Sequence, residues 1–320
     1  MICMHECMRR NILILTATML KGKYMCQLLG KIESTFKNFH PKAAGASNVC
    51  RQVIRSCSSQ NAELLQVERD SVHKDVAWIK LNRPPVNSFS KQMLADIATS
   101  VNTIENDPTY RGIILSSSIP GIFSSGLDIT EMYQKTPDYY ADFWHNVQEL
   151  WLRLYGSSLP VIAAINGHSP AGGCLMVLGC DYRIMATGKY IIGLNEVAVG
   201  LSPPLWLQEA MVKAIGFGHA EKALKSGTLF SVEDAVEAGL VDQSVSPENL
   251  EETARNEIAK WLKIPDHARS LSKQMMRSKA IETVLKDRQK DIDDFVNMVS
   301  QPAIQNTIGK YLQSLKARKK

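Results

Sequence analysis

A single carboxylate, Glu196, lies in an otherwise apolar stretch, and the apolar run upstream of it opens with the glycine pair Gly172 and Gly173. Adjacent glycines at a helix start let main-chain amides come close to a ligand, and the first amides of a helix have no acceptor inside it. Such amides hold an anionic oxygen. Burial raises the pKa of a carboxyl group and makes it a usable proton carrier. The stretch therefore predicts proton transfer beside a held oxyanion.

A second glycine-bearing turn, residues 121–129, follows the strand-like residues 111–118. Two such turns can each give one N–H to the same oxygen. We predict that the main-chain amides of Gly172 and Ser125 form this oxyanion hole. The alternatives are that Gly172 serves helix packing and that Ser125 only supplies a turn hydroxyl.

Two further polar residues near these turns allow more than one interpretation. Asn195 either positions the substrate or the carboxylate, or caps the turn. Asp128 is predicted to cap a helix that begins with Ile129, and the alternative is a second catalytic acid. A serine hydrolase is disfavoured because the turn has no Gly-x-Ser-x-Gly elbow and the nearest histidine, His145, lies on an amphipathic helix. The scattered histidines and cysteines predict no metal site.

The motifs at residues 123–128 (Phe-Ser-Ser-Gly-Leu-Asp), 170–175 (Pro-Ala-Gly-Gly-Cys-Leu) and 193–196 (Gly-Leu-Asn-Glu) are similar to those of the crotonase, or enoyl-CoA hydratase/isomerase, superfamily. The resemblance runs from about residue 64 to the C-terminus. It implies that Glu196 is the catalytic acid/base and that a CoA thioester is the substrate, with no cofactor or metal. It also implies a homotrimer. The substrate-binding set that it implies consists of Ser125, Gly126, Leu127, Asp128, Ile129, Gly172 and Asn195.

Leu175 distinguishes between reactions within this superfamily. In the hydratases that the chain resembles, the residue three after the oxyanion glycine is a second glutamate, which helps to activate water. One carboxylate can carry a proton between two carbons but is poorly equipped to orient water as well. We therefore expect isomerisation of a 3-enoyl-CoA, cis or trans, to a trans-2-enoyl-CoA in fatty acid β-oxidation. The alternatives are an enoyl-CoA hydratase and a catalytically silent acyl-CoA-binding homologue.

Strand-like and helix-like segments alternate before these motifs, which predicts crossover units and a largely parallel sheet with ligand sites at strand ends. A hairpin is predicted from residues 64–68 and 76–81, and helices dominate from residue 205 onward. The other predicted strands are residues 111–118, 160–165 and 240–245, together with two short runs between residues 181 and 193. The predicted helices are residues 90–104, 138–156, 172–180, 205–214, 219–226, 231–238, 247–262 and 267–315.

The fold class is α/β, and the resemblance implies a crotonase-like spiral of beta-beta-alpha units with a helical C-terminal extension. We divide the chain into a leader (residues 1–60), a core domain (residues 61–262) and a C-terminal helical region (residues 263–320). The resemblance implies that the last region serves assembly and closure of the site.

The composition, 45% hydrophobic and 22% charged, is that of an ordinary soluble protein. Residues 1–60 carry nine basic and two acidic side chains, so residues 61–320 carry 28 and 30, a net charge of −2. The overall charge of +5 therefore belongs to the leader, and no nucleic-acid surface is indicated.

The basic, acid-poor leader is typical of a mitochondrial transit peptide and predicts the matrix as destination. The alternatives are a secretory signal, because Arg9 and Arg10 precede an apolar run, or an extension upstream of a working start at Met19 or Met25. That apolar run is too short to span a bilayer, and no integral membrane segment is predicted.

Five of the seven cysteines lie in the leader, and only Cys174 and Cys180 lie in the body. These two lie six residues apart in the apolar helix, on poorly matched faces. A disulfide between them is not expected, and buried free thiols fit a reducing compartment.

Overall fold

The computed structural model describes residues 64–317, so the predicted leader lies outside the described residues. The described chain alternates strands and helices up to the glycine pair and is mainly helical after Glu196. The strands are β1 (Leu65–Arg69), β2 (Val76–Leu81), β3 (Gly112–Ser117), β4 (Gly121–Ile122), β5 (Val161–Ile165), β6 (Gly167–Pro170), β7 (Tyr182–Ala186), β8 (Ile191–Gly193), β9 (Phe230–Ser231) and β10 (Gln243–Val245). The helices are α1 (Lys91–Glu105), α2 (Pro137–Gly156), α3 (Gly172–Leu178), α4 (Leu205–Ser226), α5 (Val232–Glu237), α6 (Leu250–Leu262), α7 (Asp266–Lys286), α8 (Arg288–Val299) and α9 (Pro302–Ala317).

The larger sheet has six strands in the order β1-β2-β3-β5-β7-β10. The β1–β2 pair is the predicted antiparallel hairpin, and every other neighbouring pair is parallel. The predicted α/β class with a largely parallel sheet is therefore confirmed. Because β3 and β5 are neighbours, the turns that follow them leave the sheet at the same edge.

Alternate residues of these strands face two layers of the core, as the two-residue period of a strand requires. Ala77 and Ile79 of β2 pack in the cluster that contains α1 and α2. Val76 and Trp78 face the other cluster, which α6 covers with Ile258. Both faces of the central strands are therefore apolar and buried.

A smaller sheet, in the order β4-β6-β8-β9, connects the larger sheet to the glycine pair. The sequence predicts that β5 leads straight into that pair, but β6 lies between them. The strand β6 pairs in parallel with β4 and β8, so it joins the turn at residue 121 to the segment that ends at Gly193. Two- and four-residue strands rich in Gly, Ser and Pro carry no period-two signal, which is why the pattern missed them.

The helical end of the chain packs onto the core. The prediction of separate helices at residues 205–214 and 219–226 corresponds to one element, α4, which is kinked where Gly216 has φ of 75°. The predicted long helical region is divided into α7, α8 and α9. The predicted boundary after residue 262 coincides with the last residue of α6. Within residues 64–317, no helix is both long and apolar enough to cross a bilayer.

Candidate active site

The glycine pair begins α3, whose seven residues are all buried. Before it, Ala171 has φ of 48°, and its amide donates to the carbonyl oxygen of Gly193 at 2.7 Å. This bond fixes the helix start against the end of β8. The amide of Gly172 donates no hydrogen bond within the described chain, as expected of a first helical amide. The prediction of a buried apolar helix that opens with a free amide is confirmed.

The upstream turn differs from the prediction in one respect. The amide of Ser125 donates to the carbonyl oxygen of Val86 at 2.9 Å, so it is not free to hold a ligand in this conformation. The choice of Ser125 as the oxyanion donor is therefore contradicted. The next residue but one, Leu127, forms a parallel bridge with Phe89 that uses the amides of Phe89 and Asp128. In the described chain this pairing leaves the Leu127 amide without an acceptor.

The two turns approach each other closely because both have glycine at the contact. A Cβ atom on Gly172 would lie 2.8 Å from the Leu127 nitrogen, and one on Gly126 would lie 2.9 Å from the Gly172 nitrogen. Gly126 also has φ of 92°, a conformation that side chains disfavour. The geometry therefore brings the two unengaged amides, those of Leu127 and Gly172, to the same place.

The smaller sheet positions Glu196 near the amides of Leu127 and Gly172. The strand β8 pairs with β6, which precedes the glycine pair, and Glu196 follows the end of β8 by three residues. It opens a 3₁₀-helix (Glu196–Val199). Its Oε2 atom is buried and has no hydrogen-bond partner in the described chain. Burial raises the pKa of the Glu196 carboxyl to about 7. A group that titrates near neutral pH and has a free oxygen is suited to move protons.

The structure distinguishes between the two interpretations of Asp128. Its side chain accepts from the Thr130 amide at 3.1 Å at the start of a 3₁₀-helix (Ile129–Met132), and Arg83 pairs with it at 2.8 Å. Burial alone acts to raise the pKa of Asp128, but the bonds from Thr130 and Arg83 outweigh it and lower that pKa. Asp128 is thus a cap and an ion-pair partner, and it is poorly placed to carry protons. Asn195 makes no side-chain capping bond.

The predicted site residues surround one cavity of about 550 Å³. Glu196 lines it, together with every member of the predicted substrate-binding set except Gly126. Leu175, which is 2% exposed, also lines it. Where the hydratases that the chain resembles have a second carboxylate, this cavity has an apolar wall. His145 does not line the cavity.

Most of the rest of the cavity wall is apolar, with Ser88, Thr130 and Ser202 as polar exceptions, and it was not predicted from sequence. It comes from side chains that the helical pattern marks only as core or helix surface, so the sequence carried no separate signal for them. The last helix of the described chain, α9, contributes side chains to this wall, and closure of the site by the C-terminal helices stays a prediction. The unpredicted lining residues include Trp144, Leu201, Leu207, Phe295, Met298, Tyr311, Leu312 and Leu315.

A larger cavity, of about 1010 Å³, lies elsewhere and shares no residue with this site. Its cations are already engaged: Lys273 lies 2.7 Å from Asp181, and Arg277 pairs with Asp181 at 3.0 Å and donates to the Tyr155 carbonyl oxygen. Among residues 64–317, no cluster of His, Cys, Asp and Glu side chains has a metal-binding arrangement. Cys174 and Cys180 are buried and unpaired.

The chain is similar in sequence to known proteins of one family. The family model for enoyl-CoA hydratase/isomerase matches residues 71–319. Enoyl-CoA delta isomerase 1, mitochondrial, from Mus musculus is 49% identical over 245 residues, which cover 76% of this chain and 85% of that protein.

Two solved structures extend the comparison. Human mitochondrial delta3-delta2-enoyl-CoA isomerase has a TM-score of 0.79 and 46% identity, over 81% of this chain and 100% of that one. The enoyl-CoA hydratase from Bacillus halodurans has a TM-score of 0.71 but 22% identity, over 78% of this chain and 100% of that one. The likeness to the hydratase therefore concerns the fold alone.

Proposed function

The chain belongs to the enoyl-CoA hydratase/isomerase family, and we propose that it is an enoyl-CoA delta isomerase of fatty acid β-oxidation. It moves the double bond of a 3-enoyl-CoA, cis or trans, into conjugation and gives a trans-2-enoyl-CoA. The observation that carries this proposal is the buried, unpartnered oxygen of Glu196 in a cavity with two unengaged amides and the apolar Leu175. The high identity to relatives with this name over most of the chain supports it.

The first step needs a place for negative charge. The thioester oxygen accepts hydrogen bonds from the amides of Leu127 and Gly172. Glu196 then removes a proton from the α carbon and becomes a carboxylic acid, and the charge of the resulting dienolate collects on the thioester oxygen. Each such donor contributes on the order of 2.7 to 4 kcal/mol to the stability of the transition state.

The second step returns the same proton. The protonated Glu196 gives it to the γ carbon. The negative charge leaves the thioester oxygen, and the double bond then lies between the α and β carbons. A pKa of about 7 suits both directions, because the group is partly ionised at neutral pH and is a strong enough acid to give the proton back.

No cofactor is needed for this reaction, since the thioester itself makes the α proton acidic. CoA is the part of the substrate by which the enzyme binds it. Hydration of a 2-enoyl-CoA is less supported, because Leu175 offers no acceptor to hold water beside Glu196. The alternative of a silent acyl-CoA-binding homologue is disfavoured by the retained carboxylate and both amides.

The test is to incubate the purified protein with 3-hexenoyl-CoA and follow the absorbance of the conjugated thioester. Formation of 2-hexenoyl-CoA supports the proposal. Saturable binding of 3-hexenoyl-CoA with no turnover would instead support the silent homologue. Formation of a 3-hydroxyacyl-CoA as the main product from 2-hexenoyl-CoA would support the hydratase.

We also propose a homotrimer in the mitochondrial matrix. Three apolar side chains on α7 support assembly, because Leu271, Met275 and Met276 are 56%, 72% and 82% exposed and exposed apolar patches mark interaction sites. The mitochondrial names of the relatives and the basic leader support the location. Sedimentation velocity tests the first proposal, and a monomer at micromolar concentration would contradict it.

A further inference from the structure

The cavity that contains Glu196 has a neighbour of about 460 Å³. Glu196, Leu127 and Gly172 line only the first cavity. Five residues line both cavities: Trp144, Ser202, Pro204, Phe295 and Met298. The shared side chains therefore form a wall between the two cavities, away from the reacting groups. The second cavity reaches solvent, since its lining includes Leu205, which is 66% exposed.

Two stacked rings form the centre of this wall. The ring centroids of Trp144 and Phe295 lie 4.0 Å apart, and the ring planes differ by 8°. Trp144 comes from α2 and Phe295 from α8, so the wall is made where these two helices meet. Both side chains are buried, at 6% and 3% exposure.

The carboxylate of Asp291 fixes the positions of both rings relative to each other. The Oδ2 atom of Asp291 accepts hydrogen bonds from Trp144 Nε1 at 2.8 Å, Trp206 Nε1 at 3.1 Å and Gln148 Nε2 at 2.6 Å. Asp291 lies four residues before Phe295 on α8, so the two residues share one face of the helix. The bond to Trp144 thus fixes one ring, and the same helix carries the other ring against it.

We propose that the Trp144–Phe295 pair is the end wall of the acyl pocket and limits the length of chain that the pocket accepts, with Asp291 as its positioning residue. This inference depends on the proposed function, in which the cavity binds an acyl-CoA. An acyl chain that reaches the wall buries no further methylene groups. Without the Phe295 ring, a longer chain would continue along the side chains of Trp206 and Val284, which form the apolar part of a second cavity that also has charged lining residues.

Binding of saturated acyl-CoA esters tests the wall without any need for turnover. We expect the affinity of the unaltered protein to rise from hexanoyl- to decanoyl-CoA and then to level off at hexadecanoyl-CoA, below its micelle concentration. In Phe295→Ala the rise should continue, because each added buried methylene strengthens binding about fourfold. The ratio of hexadecanoyl to hexanoyl affinity should increase by about tenfold or more.

The matched control is Val284→Ala, since Val284 is equally buried but lines only the second cavity. It should leave the affinity ratio unchanged. The inference is overturned if the ratio is the same in Phe295→Ala as in the unaltered protein, or if Val284→Ala shifts it equally. Affinity of the unaltered protein that rises without a break up to hexadecanoyl-CoA would also overturn it.

Two further variants keep the test decisive if Phe295→Ala does not fold. Phe295→Leu retains an apolar side chain without the ring, and Asp291→Asn retains the size of the carboxylate without its charge. Both should raise the same ratio by a smaller factor, whereas a merely structural role would weaken binding of every chain length equally. Binding of acyl-CoA esters without isomerase turnover would reject the proposed function but would not contradict the inference about the Trp144–Phe295 wall. Absence of any acyl-CoA binding would overturn both.

Discussion

The main-chain nitrogen of Leu127 lies 2.8 Å from the position that a Cβ atom on Gly172 would occupy. The next nearest atoms to that position, at 3.2 Å, are the carbonyl carbon and Cα of Gly126. All three neighbours are backbone atoms and cannot move aside as the end of a side chain can. Glycine at residue 172 is therefore what permits the two unengaged amides to share one ligand oxygen.

We expect Gly172→Ala to lower kcat for 3-hexenoyl-CoA by about 10²- to 10³-fold, the loss typical of one oxyanion donor. The added methyl group separates the two amides and fills the position of the oxygen. The control is Gly218→Ala, since a Cβ atom there meets nothing within 4 Å. Steady-state kinetics on both variants checks this, and equal activity of Gly172→Ala and Gly218→Ala would remove the two amides from the mechanism.

The carboxylate is tested by Glu196→Gln, which keeps the shape of the side chain and removes its ability to take a proton. We expect turnover to fall by about 10²-fold or more, with acyl-CoA binding retained. The control is Glu282→Gln on the exposed surface of α7. If Glu196→Gln keeps more than about a tenth of the turnover, the assignment of the proton carrier is wrong.

The raised pKa of Glu196 predicts a particular pH dependence of activity. Only the ionised carboxylate removes the α proton, and its pKa in the folded protein is about 7. The value of kcat/KM for the free enzyme should therefore rise with pH and be half-maximal near that pKa. A value of kcat/KM that no longer changes with pH above about 5, as for a carboxyl group with the ordinary pKa of 4.5, would contradict the burial argument.

The same raised pKa has a consequence for stability. Between the unfolded pKa of 4.5 and the folded pKa of about 7, the folded protein holds a proton that the unfolded chain releases. Stability from this group is thus fully present below the lower value and lost as pH rises through the higher one. Relative to Glu196→Gln, the unaltered protein should lose about 2 to 3 kcal/mol between pH 5 and pH 8 in urea unfolding. If the free energies of unfolding of the two proteins changed equally with pH, the Glu196 carboxylate would have to be solvated in the folded protein.

Leu175 tests why the reaction is isomerisation. We expect the unaltered protein to hydrate 2-hexenoyl-CoA about 10²-fold or more slowly than it isomerises 3-hexenoyl-CoA, one general acid/base increment. Leu175→Glu should raise hydration, although a new buried carboxylate costs a few kcal/mol of stability. Leu175→Gln is the control, because it adds a polar group of the same size without a base. Comparable rates of the two reactions in the unaltered protein would favour the hydratase.

The leader can be tested apart from the folded body. A fusion of residues 1–62 to a fluorescent protein should enter mitochondria, because basic, acid-poor leaders are typical of mitochondrial import. The control replaces Arg9, Arg10, Arg51 and Arg55 with glutamine and should remain outside. Delivery of the unaltered fusion to the secretory pathway would overturn this interpretation.

The predictable parts of the fold are those with strong local signals. The spacing of Met93, Leu94, Ile97 and Val101 indicated α1, and the all-apolar run in β5 indicated a central strand. The strands β4, β6 and β9 were missed because they contain two to four residues and are stabilised by pairing with distant segments. Gly216 has the positive φ that breaks the helical pattern, yet the element continues on its other side.

The candidate active site likewise has some features with a local sequence signal and others that depend on distant segments. Glu196 and Gly172 stand out because a carboxylate among apolar residues and a glycine pair before an apolar run are local features. The choice between the amides of Ser125 and Leu127 was not local. It depends on an upstream segment, in which the carbonyl oxygen of Val86 accepts from the Ser125 amide and Phe89 pairs with Leu127 without using the Leu127 amide. The ring pair of Trp144 and Phe295 was equally invisible, since each residue occupies an ordinary buried helix position.

The cavity is completed by α9, whose Tyr311, Leu312 and Leu315 line it, and the ribosome makes this helix long after Glu196. At ~5–20 residues per second, the interval between these parts of the chain is about 6 to 24 s. During that time the carboxylate lacks the part of the cavity wall that α9 supplies. The growing chain thus contains Leu127, Gly172 and Glu196 before it contains the part of the cavity wall that α9 supplies. The cavity around Glu196 is therefore complete only when the chain as far as residue 315 has folded.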